Sequence, residues 1–172
     1  MTKKLKASKE FVVGKHNIGY VGSEFSNNFY DMEFEKTKPK LKTKILEKNM
    51  LDKDILAELK PQETTLGDFM HALDNPKDCE MLKNDYANIF YIRDSKDILW
   101  AVDACWHGAY RGWRVNANSV VNPYEWDAGH QVVSHGFGPE KLEPLSLESD
   151  FEARIKELES FRVKVEKVLN LK

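Results

Sequence analysis

Two short runs, Asn88 to Arg93 and Ile98 to His107, are separated by four polar residues, Asp94-Ser95-Lys96-Asp97. Both runs are rich in β-branched and aromatic side chains and bounded by turn formers, so the pattern predicts a β-hairpin. Gly108-Ala109-Tyr110-Arg111-Gly112 then turns the chain into a third run, Trp113 to Val121, which Asn122-Pro123 ends. Three consecutive antiparallel strands make a central meander over 88–121, the least that stands in water when one face is apolar. On the second strand, Ile98, Trp100, Val102, Ala104 and Trp106 alternate with Asp103, Cys105 and His107. Side chains two apart share a face of a strand, so one face is apolar and the other polar. Whatever else the chain builds must cover that apolar face, and helices are the elements at hand.

The pattern on either side predicts where they lie. Residues 1–9 read as a basic flexible tail and 10–172 as a single domain, a sound size for 172 residues. Phe11-Val12-Val13 opens a short strand punctuated by Gly14, Gly19 and Gly22, and Tyr30, Met32 and Phe34 alternate with Asp31, Glu33 and Glu35 as in a second strand over 29–35. The alternation continues with Lys36, Lys38, Lys40, Lys42 and Lys44 on one side, and Pro39 within the run restricts it to a sheet edge or a bent connection. Ile45, Leu46, Leu51, Ile55, Leu56 and Leu59 recur at helical spacing up to Pro61, predicting a helix over 45–60. Thr65 followed by Asp68 has the form of an N-cap with a carboxylate at the third helical position, predicting a second short helix over 65–74 that Asn75-Pro76 ends. Asp78 to Asn84 adds a polar helical turn carrying Cys79, and Gln131 to Ser134 a short strand.

At the C-terminal end Ser149 and Glu152 form a capping box, and Phe151, Ile155, Leu158, Phe161, Val165, Val168 and Leu169 mark an apolar stripe. The stripe predicts a long amphipathic helix over 149–170. Its spacing fits a coiled coil of barely three heptads, but packing across the sheet is the commoner use of such a helix. The expected fold is therefore α+β: an antiparallel sheet of about five strands, two short helices on one side and the long helix covering the sheet.

Composition narrows the function classes. The chain carries 26 basic and 28 acidic side chains, which excludes a protein that is basic throughout. The longest apolar run, Ile98 to Val102, is far short of the roughly 20 residues of a membrane span, and the basic N-terminus lacks the apolar stretch of a signal peptide. No membrane association is expected, and the location expected is cytoplasmic. Two cysteines, Cys79 and Cys105, cannot make a disulfide framework, and no closely spaced Cys or His pair suggests structural zinc. No cofactor is expected.

Four groups of residues carry chemistry on paper. Asp103, Cys105 and His107 supply a nucleophile, a base and an orienting carboxylate on one strand face. Same-face neighbours stand roughly 7 Å apart, however, whereas a nucleophile and its base need about 3 Å. That distance favours a plain polar outer face, with catalysis by these three as the alternative. His107, His130 and His135 are the only candidates for a metal site, at spacings that match no common chelate. Six lysines between Lys36 and Lys48 with one Glu form a stripe that could neutralise phosphates, making nucleic-acid binding through Lys36, Lys38, Lys40, Lys42 and Lys44 a second alternative. The stripe lacks the arginines and stacking aromatics of single-strand binders, and lysines on an edge strand also block aggregation.

The fourth group is aromatic. Ten of the 19 Phe, Tyr and Trp residues, with all four Trp, fall between Tyr86 and Phe137, as they would in a core or an interface. Tyr110, Arg111, Tyr124 and Trp126 sit at changes of chain direction, and Tyr, Trp and Arg are the usual anchors of interfaces. The expected function is a non-catalytic protein-binding module, of the kind a bacterium or its phage uses as an accessory or inhibitory factor. Its partner would be another protein, met by these four side chains.

Overall fold

The computed structural model describes residues 2–138 and 144–169, with side chains of the final helix described over 152–167. The chain divides into two compact units, Met1–Gly138 and Pro139–Lys172.

The first unit is built on the meander. Strands β6 (Ala87–Arg93), β7 (Leu99–His107) and β8 (Gly112–Ser119) pair antiparallel, with Asp103 opposite Ile89 on one side and Asn116 on the other. The turn between β6 and β7 is held by Asp94. Its carboxylate accepts from the Lys96 and Ile98 amides, each at 2.9 Å, and from Trp100 Nε1 at 2.9 Å. Burial works to raise this carboxyl, but those donors hold it below the ordinary value.

The sheet that grows from the meander has six strands and is mixed, where an antiparallel sheet of about five was expected. Its order is β2-β8-β7-β6-β10-β4, adding β2 (Ile18–Val21), β4 (Lys42–Ile45) and β10 (Gln131–Ser134). Strand β2 runs parallel to β8, and β10 runs parallel to β6. Parallel neighbours need long crossovers, and the residues that return to the sheet are far apart in the chain. Two further two-stranded ribbons pair β1 (Leu5–Lys6) with β3 (Glu33–Phe34), and β5 (Met50–Leu51) with β9 (Glu125–Trp126). Leu5–Lys6 thus forms a strand and Ala7 is fully buried within the segment read as a basic tail.

Helices α1 (Ala7–Glu10), α2 (Ser23–Phe29) and α4 (Leu66–Asp74) cover one face of the sheet. Phe11, Phe25, Phe29, Phe69, Phe90 and Trp113 are all completely buried there. The rings of Phe25 and Phe29 stack at 5.0 Å, as residues four apart on a helix do. That pairing replaces the strand expected over 29–35, of which only Glu33–Phe34 is extended, and Phe11 caps α1 instead of opening a strand. Helix α4 starts as expected: Thr65 Oγ1 accepts from the Asp68 amide and Asp68 Oδ2 accepts from the Thr65 amide. Such a capping box is a short-range signal, which is why sequence reads it well.

The opposite face is covered by α3 (Asp52–Glu58) and the β5–β9 ribbon, over Leu46, Met50, Ile55, Ile89, Tyr91, Trp126 and Val132. The helix expected over 45–60 is therefore shorter, starting at Asp52. Lys42–Ile45 lies in β4, whose register against β10 sets Ile45 opposite Gln131 and Lys42 opposite Ser134. Cys79 is buried in a turn rather than carried on a short polar helix.

The second unit contains α5, Pro144–Leu169, close to the expected 149–170. Every described side chain from Glu152 to Lys167 is exposed, including Leu158 at 69% and Phe161 at 67%. Of the stripe, the side chains of Phe151, Val168 and Leu169 lie outside the described residues. Among the described residues, no helix is long and apolar enough to cross a membrane.

Candidate functional site

Strands β7 and β8 alternate in phase. Trp113, Val115 and Ala117 of β8 enter the phenylalanine-rich core, so Arg114, Asn116 and Asn118 point the other way, beside Asp103 and Cys105 of β7. The α3 cover protects only part of this face. The remainder forms a pocket of about 390 Å³ whose floor is this polar group.

Asp103 sits at the centre. It is only 5% exposed, so the reading of Asp103, Cys105 and His107 as a solvated outer face is corrected: Asp103 is buried, and Cys105 and His107 are half-buried. Asn118 Nδ2 donates to Asp103 Oδ2 at 3.1 Å. Burial pushes the Asp103 carboxyl up to about 7; the Asn116 and Asn118 amides and the Arg114 charge pull against it, and the Asp52 carboxyl adds to the rise. A buried acid wants a cation or several donors. Among the described residues Asp103 makes no ion pair, and the Arg114 guanidinium lies over the Tyr20 ring at 5.5 Å.

The walls come from distant parts of the chain. Gly22 and Ser23 lie at the start of α2, and a Cβ added at Gly22 would stand 2.6 Å from Asn116 Oδ1, so glycine lets the backbone close over that amide. Glu24 lines the same side. Tyr20 and Tyr124 are each about half exposed at the rim. His130 completes the lining and is held by the Ala87 amide, which donates to its Nδ1 at 2.8 Å. Accepting there requires an unprotonated Nδ1, and burial lowers the pKa of this imidazole in the same sense, with Asp127 opposing. The ring is therefore the neutral Nε2–H tautomer.

Beneath the adjoining cover lies a second buried acid. Asp52 is completely buried, and its Oδ1 accepts from Tyr91 Oη at 2.7 Å and from Trp126 Nε1 at 2.9 Å. Among the described residues its Oδ2 has no hydrogen-bond partner, and burial raises the carboxyl despite the two donors. Asp52 supports the wall that Trp126 presents to the pocket.

The expected site residues are dispersed. Cys105 Sγ donates to the Asp85 carbonyl at 2.7 Å, and burial, with Asp103 and Asp85 nearby, raises its thiol pKa. An activated nucleophile shows the reverse. His107 stacks on Tyr110 with ring centroids 4.1 Å apart, and His135 Nε2 bonds Asp68 Oδ2 at 2.8 Å. With His130 held by Ala87, the three histidines make separate contacts and do not form a cluster. Among the described residues no group of three His, Cys, Asp or Glu side chains is placed to hold a metal ion.

Of the four aromatic and basic anchors, Tyr110, Arg111 and Tyr124 are exposed, but Trp126 is 2% exposed and belongs to the core under α3. It is corrected from an interface residue to a structural one, because its indole N–H satisfies Asp52. Lys36, Lys38, Lys40, Lys42 and Lys44 are exposed, the last two on the outermost strand of the sheet. Arg114, Asn116, Asn118, Tyr20 and Glu24 were missed as site residues. The period-two alternation of Arg114, Asn116 and Asn118 opposite Asp103 was the available signal; nothing in the sequence brought Tyr20 and Glu24 to them. Comparison with protein-family models, curated proteins and solved structures returns no match.

Proposed function

We propose that the protein is a non-catalytic protein-binding module that takes a cationic side chain of its partner, Lys or Arg, into the Asp103 pocket. The observation that carries this reading is a buried carboxyl that makes no ion pair among the described residues, at the floor of an open pocket of about 390 Å³. A compact ammonium or guanidinium adds a direct ion pair to the asparagine donors and the nearby Arg114 charge that Asp103 already has, and it drives the carboxyl to its ionised form. Exposed Tyr20 and Tyr124 flank the entrance as aromatic contacts for the stem of the entering side chain. The raised thiol pKa of Cys105 argues against its use in chemistry, and the half-exposed tyrosines suit an interface.

The test uses N-acetyl-arginine amide and N-acetyl-lysine amide as probes, followed by NMR of the side-chain amides of Asn116 and Asn118. At about 10 mM probe, binding with Kd near 1 mM is visible. The reading expects shifts confined to the pocket, lost in Asp103→Asn and weakened in Tyr124→Ala. Unchanged spectra, or equal shifts in Asp103→Asn, refute it.

A further inference from the structure

Helix α5 has an unusual combination of properties. It runs for 26 residues, and Ile155, Leu158, Phe161 and Val165 are exposed at 52%, 69%, 67% and 42%. A helix exposed all round is expected to be polar all round, so this stripe requires a cover.

A heptad register identifies one. With Ile155 at position a, Leu158 and Val165 fall at d, Phe161 at g, and Arg162 at the next a. The same register places Glu152, Glu159 and Glu166 at three successive e positions and Arg154 at g. We propose that a second copy of this chain covers the stripe, the two α5 helices pairing in parallel as a two-stranded coiled coil.

Charge sets the direction. In a parallel pair, g of one helix meets the following e of the other, so Arg154 faces Glu159 of the second copy on both sides of the seam. In an antiparallel pair e meets e, and Glu152, Glu159 and Glu166 are set against one another. Ile155 at a with Leu158 at d is the combination that favours two strands. Two a positions are charged and costly, Glu148 and Arg162; the Arg162 guanidinium is already drawn aside, its Nε donating to Glu166 Oε1 of its own helix at 3.2 Å. The aliphatic stem of Arg162 stays on the seam while the charge reaches water.

Sedimentation equilibrium of the full chain tests this over a concentration series, with near-UV circular dichroism confirming that the Trp-rich unit remains folded in each variant. A mass of twice 19.9 kDa is expected. Leu158→Glu gives a monomer. Arg154→Glu, which sets Glu against Glu159, raises the dimer Kd by about tenfold, and the double variant Arg154→Glu/Glu159→Arg restores it. A monomeric wild type at the highest soluble concentration overturns the proposal. So does a dimer that Leu158→Glu leaves intact, or one indifferent to the Arg154 and Glu159 exchange.

Discussion

The Tyr91 hydroxyl donates to Asp52 Oδ1 at 2.7 Å, joining the middle of β6 to the first residue of α3 across 39 positions of sequence. Both residues are buried, and Trp126 Nε1 shares the same oxygen. One carboxyl thus fastens a helix, the central meander and the β5–β9 ribbon. Tyr91→Phe leaves Asp52 with the indole alone and is expected to cost about 1–3 kcal/mol in urea unfolding. Asp52→Ala strands two buried donors and is expected to cost more than Tyr91→Phe. Asp52→Asn keeps an acceptor without the desolvated charge and is expected to lie between wild type and Asp52→Ala at neutral pH.

Asp103 makes stability depend on pH. Its folded value, about 7, lies above the ordinary carboxyl value of 3.8, so the folded state holds the proton more tightly than the unfolded chain. The contribution is complete below the unfolded value, falls as pH rises from about 4 to 7, and is gone above it. The span corresponds to at most about 4 kcal/mol. Asp103→Asn, which retains an acceptor for Asn118, should abolish this dependence. The variant is expected to match wild type near pH 4 and to exceed it in thermal stability at pH 8. A parallel decline of both proteins over that range would contradict the assignment.

Neither thiol is poised for reaction. Burial raises both, with Asp103 and Asp85 adding to the effect at Cys105 and Asp78 at Cys79. Iodoacetamide modification of the native protein is expected to be slow at pH 7 and to speed up only above the ordinary thiol value of about 8.5. The buried Cys79 should react last, and both should modify at once in denaturant. Rapid alkylation at pH 6 would reopen a catalytic role for Asp103, Cys105 and His107.

The lysines of the outer strand distinguish edge protection from nucleic-acid binding. If they guard the free edge of β4, the protein gives no mobility shift with RNA or DNA at low salt, and replacing Lys42 and Lys44 with Val increases aggregation. A salt-sensitive shift abolished by changing Lys38, Lys40 and Lys42 to Glu would establish the phosphate-binding role instead.

What the sequence determined by itself is what depends on near neighbours. The meander was legible because its turns join strands adjacent in the chain, and α4 because Thr65 and Asp68 are three residues apart. The polar face of β7 was legible from its alternation, though not its burial. Tertiary structure decided the rest. Leu46, read as part of a helix, follows a strand because Lys42–Ile45 finds its hydrogen-bond partners in Gln131–Ser134, and no local pattern names a partner so distant. The parallel flanks of the sheet have the same origin. Trp126 entered the core because a carboxylate 74 residues earlier needed its N–H. Asp103 became a pocket floor only when the chain around Gly22 closed over Asn116. Side-chain pattern sets the local backbone and the face each residue shows, whereas strand partners and the burial of most polar groups are settled by long-range pairing between residues far apart in the chain.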